Sequence, residues 1–309
     1  MSKPEKTAWV VSLTPFDDRG ALDEPALRKH LARLCEGGQS VYAGSTNIGE
    51  GFSLDPDELV QVLTTSVDVL QGKTGVRAGG REARSIDEAV RMVRIAEAAK
   101  VDAVHLFQLD TGHGSLKPDV FELERFYTAV LEKCALPVVV SNYPSLGYTV
   151  PIDVFDRLVH RFPQIIAIRD SSGDLRYFSE LVLRLGGRVE LYSVGIRSIL
   201  TTLFLGADGF LTVEGNIAPK LASSVAAHFE QGNFSEMRQA FTRLAALHQL
   251  LMRHGGASAR GLKPLLNLLE LPGGELRSPR LPVSLEESHT LFDALLSLDL
   301  PEVRPARPA

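Results

Sequence analysis

Two loops of the chain carry residue types that suit the binding of a small organic acid. The first is the segment GSTNIGE at 44–50, in which hydroxyl groups and turn amides follow an apolar run. Such groups can converge on a carboxylate, whose oxygens accept several charge-assisted hydrogen bonds. A second interpretation has equal weight: a turn rich in glycine and serine that leads into a helix cap. The residues by themselves leave both interpretations open.

The second loop follows Arg169, a cation at the end of the otherwise apolar run QIIAI. A guanidinium in such a place requires an anionic partner, because removing an unpaired charge from water is costly. The partner is either an acidic substrate or a structural carboxylate, for which Glu50 and Glu214 are the candidates. In the following segment, Asp174 is a good N-cap residue, and we predict that it caps the next helix.

The chain lacks the sequence motifs of several common catalytic and binding sites. The segment GKT at 72–74 has Val67 where a phosphate-binding P-loop has its first glycine, and no G-x-G-x-x-G run follows an apolar strand-like run. The eight histidines show no metal-ligand spacing, and no G-x-S-x-G nucleophile motif occurs. A formal charge of −5 differs from the basic excess of nucleic-acid-binding proteins. We therefore expect no metal, no cofactor and no nucleic acid, and a small carboxylate as the ligand.

The expected cellular compartment follows from the sequence features for export, membrane insertion and disulfide formation, which we do not find. The first ten residues, MSKPEKTAWV, lack the apolar core of a signal peptide, and no run of eighteen apolar residues occurs. Two cysteines, Cys35 and Cys134, are too few for a disulfide framework in a chain of 309 residues. We expect a cytoplasmic protein that has no contact with a membrane.

Eight short apolar runs alternate with helical patterns and must position these loops. The runs are rich in Val and Ile, as expected of strands that are buried on both faces of a parallel sheet. We predict strands at 8–13, 40–44, 74–79, 102–107, 136–141, 164–169, 189–193 and 208–212. We predict helices at 24–36, 56–70, 86–99, 118–133 and 152–161, with start signals at Asp23, Asp55-Pro56, Ser85 and Lys117-Pro118.

This alternation predicts an α/β fold, a (β/α)8 TIM barrel over residues 1–217. Residues 218–300 are predicted to form a C-terminal helical extension of the same domain, and the proline-rich residues 301–309 a disordered tail. Active sites of such barrels lie at the carboxyl ends of the strands. Both loops described above occur there.

Taken together, these landmarks resemble the dihydrodipicolinate synthase / N-acetylneuraminate lyase family. The matching segments are TPF at 14–16, GSTNIGE at 44–50, SNYP at 141–144, AIRDSSGD at 167–174, LGADGFLTVEGNIAP at 205–219 and KPLLNLLEL at 263–271. The resemblance implies a homo-oligomer, a tetramer or a dimer, with class I aldolase chemistry. In that chemistry a barrel lysine forms a Schiff base with a 2-oxo acid, a tyrosine relays protons, and the loop after the second strand holds the carboxylate.

Two chemical groups of the family are replaced in this chain. Arg169 occupies the position of the Schiff-base lysine, and Ser141 occupies that of the tyrosine, with Tyr143 two residues further on. A Schiff base requires a neutral amine, which lysine supplies when its pKa is depressed, whereas arginine stays protonated. No lysine occurs between Lys133 and Lys220. We therefore predict that the usual synthase and lyase activities are absent.

Two functions remain open. The first is a diverged lyase of the aldolase type that acts on a small 2-oxo or hydroxy acid without an imine, with Arg169, Tyr143 and Ser141 as catalytic residues. The second is a non-catalytic protein that binds a small acid on the same scaffold. We favour the enzyme, because charged groups are costly to place in a barrel mouth without use. In either case the predicted substrate contacts are Ser45, Thr46, Glu50, Leu211 and Glu214.

Overall fold

The computed structural model describes residues 6–112, 116–253 and 258–303. Eight parallel strands close into a barrel in chain order, and the last strand pairs with the first. This arrangement confirms the predicted TIM barrel. The strands are β1 Thr7–Val11, β2 Ser40–Ala43, β3 Val76–Ala78, β4 Ala103–Leu106, β5 Val138–Asn142, β6 Ile165–Asp170, β7 Glu190–Val194 and β8 Gly209–Thr212.

Each predicted apolar run overlaps one strand, but the ends differ. β1 and β4 end at Val11 and Leu106, before the runs do. Leu13 and Phe107, which follow, are buried in the loops above the barrel. At these two strands the apolar run therefore indicates burial and extends beyond the residues that pair in the sheet.

Within the described residues eight helices alternate with the strands, and three more follow them; the eighth already lies inside the predicted extension 218–300. The first eight are α1 Glu24–Glu36, α2 Pro56–Leu70, α3 Ile86–Ala99, α4 Val120–Leu131, α5 Ile152–Arg161, α6 Leu175–Leu185, α7 Ile199–Leu205 and α8 Pro219–Glu230. The last three are α9 Phe234–Arg253, α10 Ala259–Leu268 and α11 Leu285–Ser297. α8 packs against both β1 and α9 and so joins the barrel to the extension. Of the predicted tail, residues 304–309 lie outside the described residues.

Most of the predicted start signals act as helix caps. The side chains of Asp23, Asp55 and Ser85 accept backbone N–H groups at the starts of α1, α2 and α3, and Asp174 does so for α6. The signal at Lys117-Pro118 was wrong, because α4 begins two residues later. There Asp119 and the first-turn glutamate Glu122 exchange hydrogen bonds in a capping box, which satisfies two otherwise unpaired amides.

Asn216 ties the loop after β8 to the end of β1. Its amide nitrogen donates to the carbonyl oxygens of Val11 and Val213 at 2.9 and 2.8 Å. Its amide oxygen accepts the backbone N–H of Leu13 at 3.1 Å and lies 3.0 Å from Nε2 of His30 on α1. Burial lowers the pKa of His30 to about 3, so this ring is neutral at ordinary pH. The network holds the turn that contains Glu214 at the barrel mouth.

Within the described ranges, none of the helices has the length and apolar character that crossing a membrane requires.

Candidate active site

A cavity of 240 Å³ opens at the carboxyl ends of the barrel strands. Cavities that hold drug-sized ligands have volumes of about 300–1,000 Å³, so this one suits a smaller molecule. Six of the eight predicted site residues line it: Ser45, Thr46, Tyr143, Arg169, Leu211 and Glu214.

Arg169 lies near the end of β6 and is 9% exposed. Its guanidinium carbon is 5.7 Å from the centroid of the Phe107 ring, and its Nη1 is 3.4 Å from Nδ1 of His105. Its Nε is buried and has no hydrogen-bond partner among the described residues. Burial lowers the pKa of Arg169, while Tyr42, Tyr143 and an acidic residue of the cavity wall, Glu82, act in the opposite direction.

His105 adds no second positive charge beside Arg169. Its Nδ1 lies 2.9 Å from the carbonyl oxygen of Gly79, which favours the tautomer that carries the proton on Nδ1. Burial, and then the positive charge of Arg169, lower the pKa of His105 well below its usual range. The imidazole is therefore neutral, and it lies in contact with the guanidinium of Arg169.

Neither of the predicted structural carboxylates pairs with Arg169. Glu50 pairs with Lys263, whose Nζ lies 2.6 Å from its Oε1, and these side chains are only 0% and 1% exposed. Glu214 pairs with His248, whose Nδ1 lies 2.7 Å from its Oε1. Across the part of the chain that the structure describes, no carboxylate oxygen lies within 4.0 Å of a nitrogen of Arg169. The cation in the cavity wall thus has no counter-ion at contact distance among the residues that the structure describes.

The GSTNIGE loop contributes hydroxyl groups to the cavity. Ser45 Oγ is buried and has no hydrogen-bond partner within the described ranges, and Thr46 Oγ1 donates to the carbonyl oxygen of Gly80 at 3.4 Å. The loop does not cap α2, which is capped by Asp55. The turn does precede this helix cap, and Ser45 and Thr46 also line the cavity, so the two interpretations are compatible.

Two predicted site residues lie outside the cavity wall, contrary to our expectation. Ser141 is fully buried in β5, where it pairs in register with Arg169. Ser141 does not line the cavity, whereas Tyr143 follows the strand and does line it. Glu50 is also fully buried, and its charge is balanced by Lys263. The pair with Lys263 connects the end of this loop to α10.

Two residues of this region come from the C-terminal extension and were not predicted. His248 lies on α9 and lines the cavity, and no sequence motif links it to Glu214. Lys263 lies on α10, where a lysine in an otherwise apolar stretch was the available signal. Burial lowers the pKa of Lys263 to about 8, although the carboxylate of Glu50 acts in the opposite direction.

The sequence and the fold are similar to those of known proteins along nearly the whole chain. The sequence profile of the dihydrodipicolinate synthetase family matches residues 6–297. The 4-hydroxy-tetrahydrodipicolinate synthase of Pseudomonas aeruginosa is 32% identical over 248 residues, which are 79% of this chain and 82% of the relative. An uncharacterized DapA-like lyase of Pyrobaculum arsenaticum is 29% identical over 246 residues, 78% of this chain and 79% of the relative.

A solved structure extends this similarity to three dimensions. It is the chloride-inhibited dihydrodipicolinate synthase of Acinetobacter baumannii in complex with pyruvate, which is 27% identical in sequence. It superposes with a TM-score of 0.85 over 96% of this chain and 99% of that chain.

Proposed function

The chain belongs to the dihydrodipicolinate synthetase family, and from this premise we propose that it is a diverged lyase of the aldolase type. Its proposed substrate is a small 2-oxo or hydroxy acid, and its reaction does not pass through a lysine Schiff base. The observation that carries this proposal is Arg169, a buried cation in the cavity wall with no carboxylate at contact distance in the described chain.

The electrostatics of the cavity favour an acidic ligand. A guanidinium removed from water without a counter-ion is costly, and a ligand carboxylate that accepts its hydrogen bonds offsets that cost. The buried Oγ of Ser45 and the hydroxyl of Thr46 are further polar groups in the same wall. A small acid therefore satisfies Arg169 Nε and Ser45 Oγ, which the described residues leave without partners.

The same wall argues against imine chemistry. Arginine remains protonated at any accessible pH, so Arg169 cannot attack a carbonyl carbon. Among the described residues, no lysine lines the cavity. Lys263 has a lowered pKa, but it pairs with Glu50, and its Nζ donates to the carbonyl oxygen of Glu275 at 2.6 Å. That amine is engaged outside the cavity wall.

In the proposed reaction, Arg169 binds the substrate and stabilises negative charge that develops on a carboxylate or an enolate oxygen. Fixed hydrogen-bond donors in a cavity that excludes water are effective at this task, because they need no reorganisation as the charge forms. Tyr143 lines the same cavity and is the candidate for donating a proton. We retain no chemical role for Ser141.

A second candidate function is binding of a small acid without catalysis. The loss of both the family lysine and the family tyrosine favours it, since Arg169 and Ser141 replace the two groups of the covalent route. The cavity and its cation serve this function equally well. The two functions differ in turnover alone.

A ligand screen followed by turnover assays tests the proposal. Thermal shifts are measured with 2-oxo acids, hydroxy acids and sugar acids, and each acid that binds is then assayed for conversion. Arg169→Gln is expected to abolish the shift. The matched control is Arg197→Gln, which removes an exposed arginine next to Ile196 on the same rim. Loss of binding in both variants, or in neither, contradicts the clamp role, and binding without turnover selects the second function.

The absence of an imine is tested separately. Incubation of the protein with pyruvate and borohydride is expected to give no covalent adduct in an intact-mass measurement. A stable adduct on the unmodified chain would show that another lysine replaces the missing one.

We also propose that the chain forms a homo-oligomer, a tetramer or a dimer, as the family resemblance implies. Size-exclusion chromatography with light scattering measures the mass directly. A single species at the monomer mass, 33.7 kDa, would contradict this.

A further inference from the structure

A carboxylate–imidazole pair lies in the wall of the barrel-mouth cavity and has no part in the chemistry described so far. Glu214 lies in the turn after β8, and His248 lies on α9. Both line the cavity, with side chains that are 2% and 18% exposed. The distance of 2.7 Å between Nδ1 of His248 and Oε1 of Glu214 is that of a short, charge-assisted hydrogen bond.

The carboxylate is held in place, and it orients the ring. The second oxygen of Glu214 accepts the backbone N–H of Val213 at 3.1 Å. A carboxylate at Nδ1 keeps the proton on that nitrogen, so Nε2 carries the free lone pair. Within the described residues, Nε2 has no hydrogen-bond partner. The ring of His248 is thus prepared to accept a proton at the cavity.

We propose that His248 is the general base of this site and that Glu214 is its positioning residue. The inference rests on the proposed function and narrows its substrate to a 2-oxo acid with hydrogen on the carbon next to the carbonyl. Imidazole is the side chain that enzymes use most often for proton transfer near neutral pH. The pair gives this barrel a route to a carbanion that needs no imine.

The step balances without any further reactant. Nε2 of His248 takes a proton from the carbon next to the carbonyl, and the electron pair of that C–H bond becomes the carbon–carbon double bond of an enolate. The carbonyl π electrons move onto oxygen, where the Arg169 guanidinium donates hydrogen bonds. The new imidazolium lies against the Glu214 carboxylate, so each new charge has an opposite charge beside it. Return of the proton regenerates the oxo acid.

Hydrogen–deuterium exchange of the substrate tests this step alone. The protein is incubated in D2O with pyruvate, 2-oxobutyrate and 2-oxoglutarate, and loss of the C3 proton signal is followed by NMR. Binding of each acid is measured in parallel by thermal shift. For an acid that binds, His248→Ala is expected to slow exchange at least 100-fold and to change its affinity less than threefold. His289→Ala, which removes an exposed histidine on α11, is the matched control and is expected to exchange at the wild-type rate.

Two further measurements distinguish a catalytic role of His248 from a structural one. Added imidazole is expected to restore exchange to His248→Ala, which a purely structural defect does not allow. Glu214→Gln keeps a side-chain oxygen that can accept from Nδ1 but removes the charge, and it is expected to slow exchange at least tenfold for an acid that this variant still binds.

The outcomes distinguish this inference from the function on which it rests. If an oxo acid binds and wild-type protein does not exchange its proton, the base role is wrong and the acid-binding site stands. Exchange that survives His248→Ala at the wild-type rate overturns the role as well. If none of the three acids binds, the 2-oxo acid substrate is wrong, and the inference fails with it.

Discussion

Arg169→Lys is expected to give this barrel an amine that forms an imine with pyruvate. The expected increase in the neutral fraction of this amine follows from the burial of position 169. A solvated lysine with a pKa of about 10.4 is neutral to only about 0.4% at pH 8. Position 169 is 9% exposed, and the described chain places no carboxylate within 4.0 Å of the side-chain nitrogens there.

Lys263 provides an internal scale for the introduced amine. Its pKa is about 8 even though the Glu50 carboxylate lies 2.6 Å away and favours the charged form. A buried amine without such a partner is expected to have a pKa of about 8 or lower. About half or more of it is then neutral at pH 8, which raises the concentration of the nucleophile roughly 100-fold over a solvated lysine.

The assay is reductive trapping with pyruvate and borohydride at pH 8, read by intact mass and peptide mapping. An adduct at position 169 is expected in Arg169→Lys and none in the wild-type protein or in Arg169→Met. Because Lys263 is present in all three proteins, mapping separates the two sites. The melting temperature shows whether each variant is folded. A folded Arg169→Lys protein that binds pyruvate but is not trapped would refute the reasoning that burial alone prepares the amine.

Three further outcomes concern the scaffold of the site. Lys263→Met leaves Glu50 buried without its cation and is expected to lower the free energy of unfolding, measured by urea denaturation, by about 3–5 kcal/mol. Adding Glu50→Gln to the same chain is expected to recover part of this loss. No recovery would mean that the two residues are not energetically coupled. The pKa of His30 is about 3 in the folded chain and about 6.5 in the unfolded chain. Because the unfolded chain binds the proton first, the free energy of unfolding falls as the pH drops below about 6.5. The expected loss between pH 7 and pH 5 is about 2 kcal/mol. His30→Leu is expected to remove that share of the loss, and an unchanged pH slope would contradict it. Gly79→Ala places a Cβ 2.5 Å from Cα of Ser45, so the loop that carries Ser45 must move. The thermal shift that a bound acid causes is therefore expected to disappear. A shift as large as that of the wild-type protein would show that the loop accommodates the Cβ without losing the acid.

Local features of the chain were sufficient to predict the barrel. Short runs rich in Val and Ile, separated by helical patterns, predicted all eight strands, because burial on both faces of a parallel sheet imposes that composition. Caps such as Asp55 and Asp174 were predicted because a cap contacts backbone amides only two or three residues away. At the fourth helix the prediction from Lys117-Pro118 was wrong, because the cap is the next residue, Asp119.

The partners of the charged site residues could not be predicted in this way. Arg169 was identified as a cation at the barrel mouth, but whether Glu50 or Glu214 balances it depended on helices of the extension. α10 brings Lys263 to Glu50, and α9 brings His248 to Glu214. No periodicity or spacing in the chain relates residues so far apart.

The sequence by itself determined the scaffold and the loss of the imine nucleophile, because secondary structure and amine chemistry are properties of neighbouring residues and of single side chains. Tertiary structure alone decided which charges cancel. A charge is neutralised by whatever group packs within a few ångströms of it, and in this fold two acids are paired by the C-terminal helices while Arg169 faces the cavity without a carboxylate in the described chain.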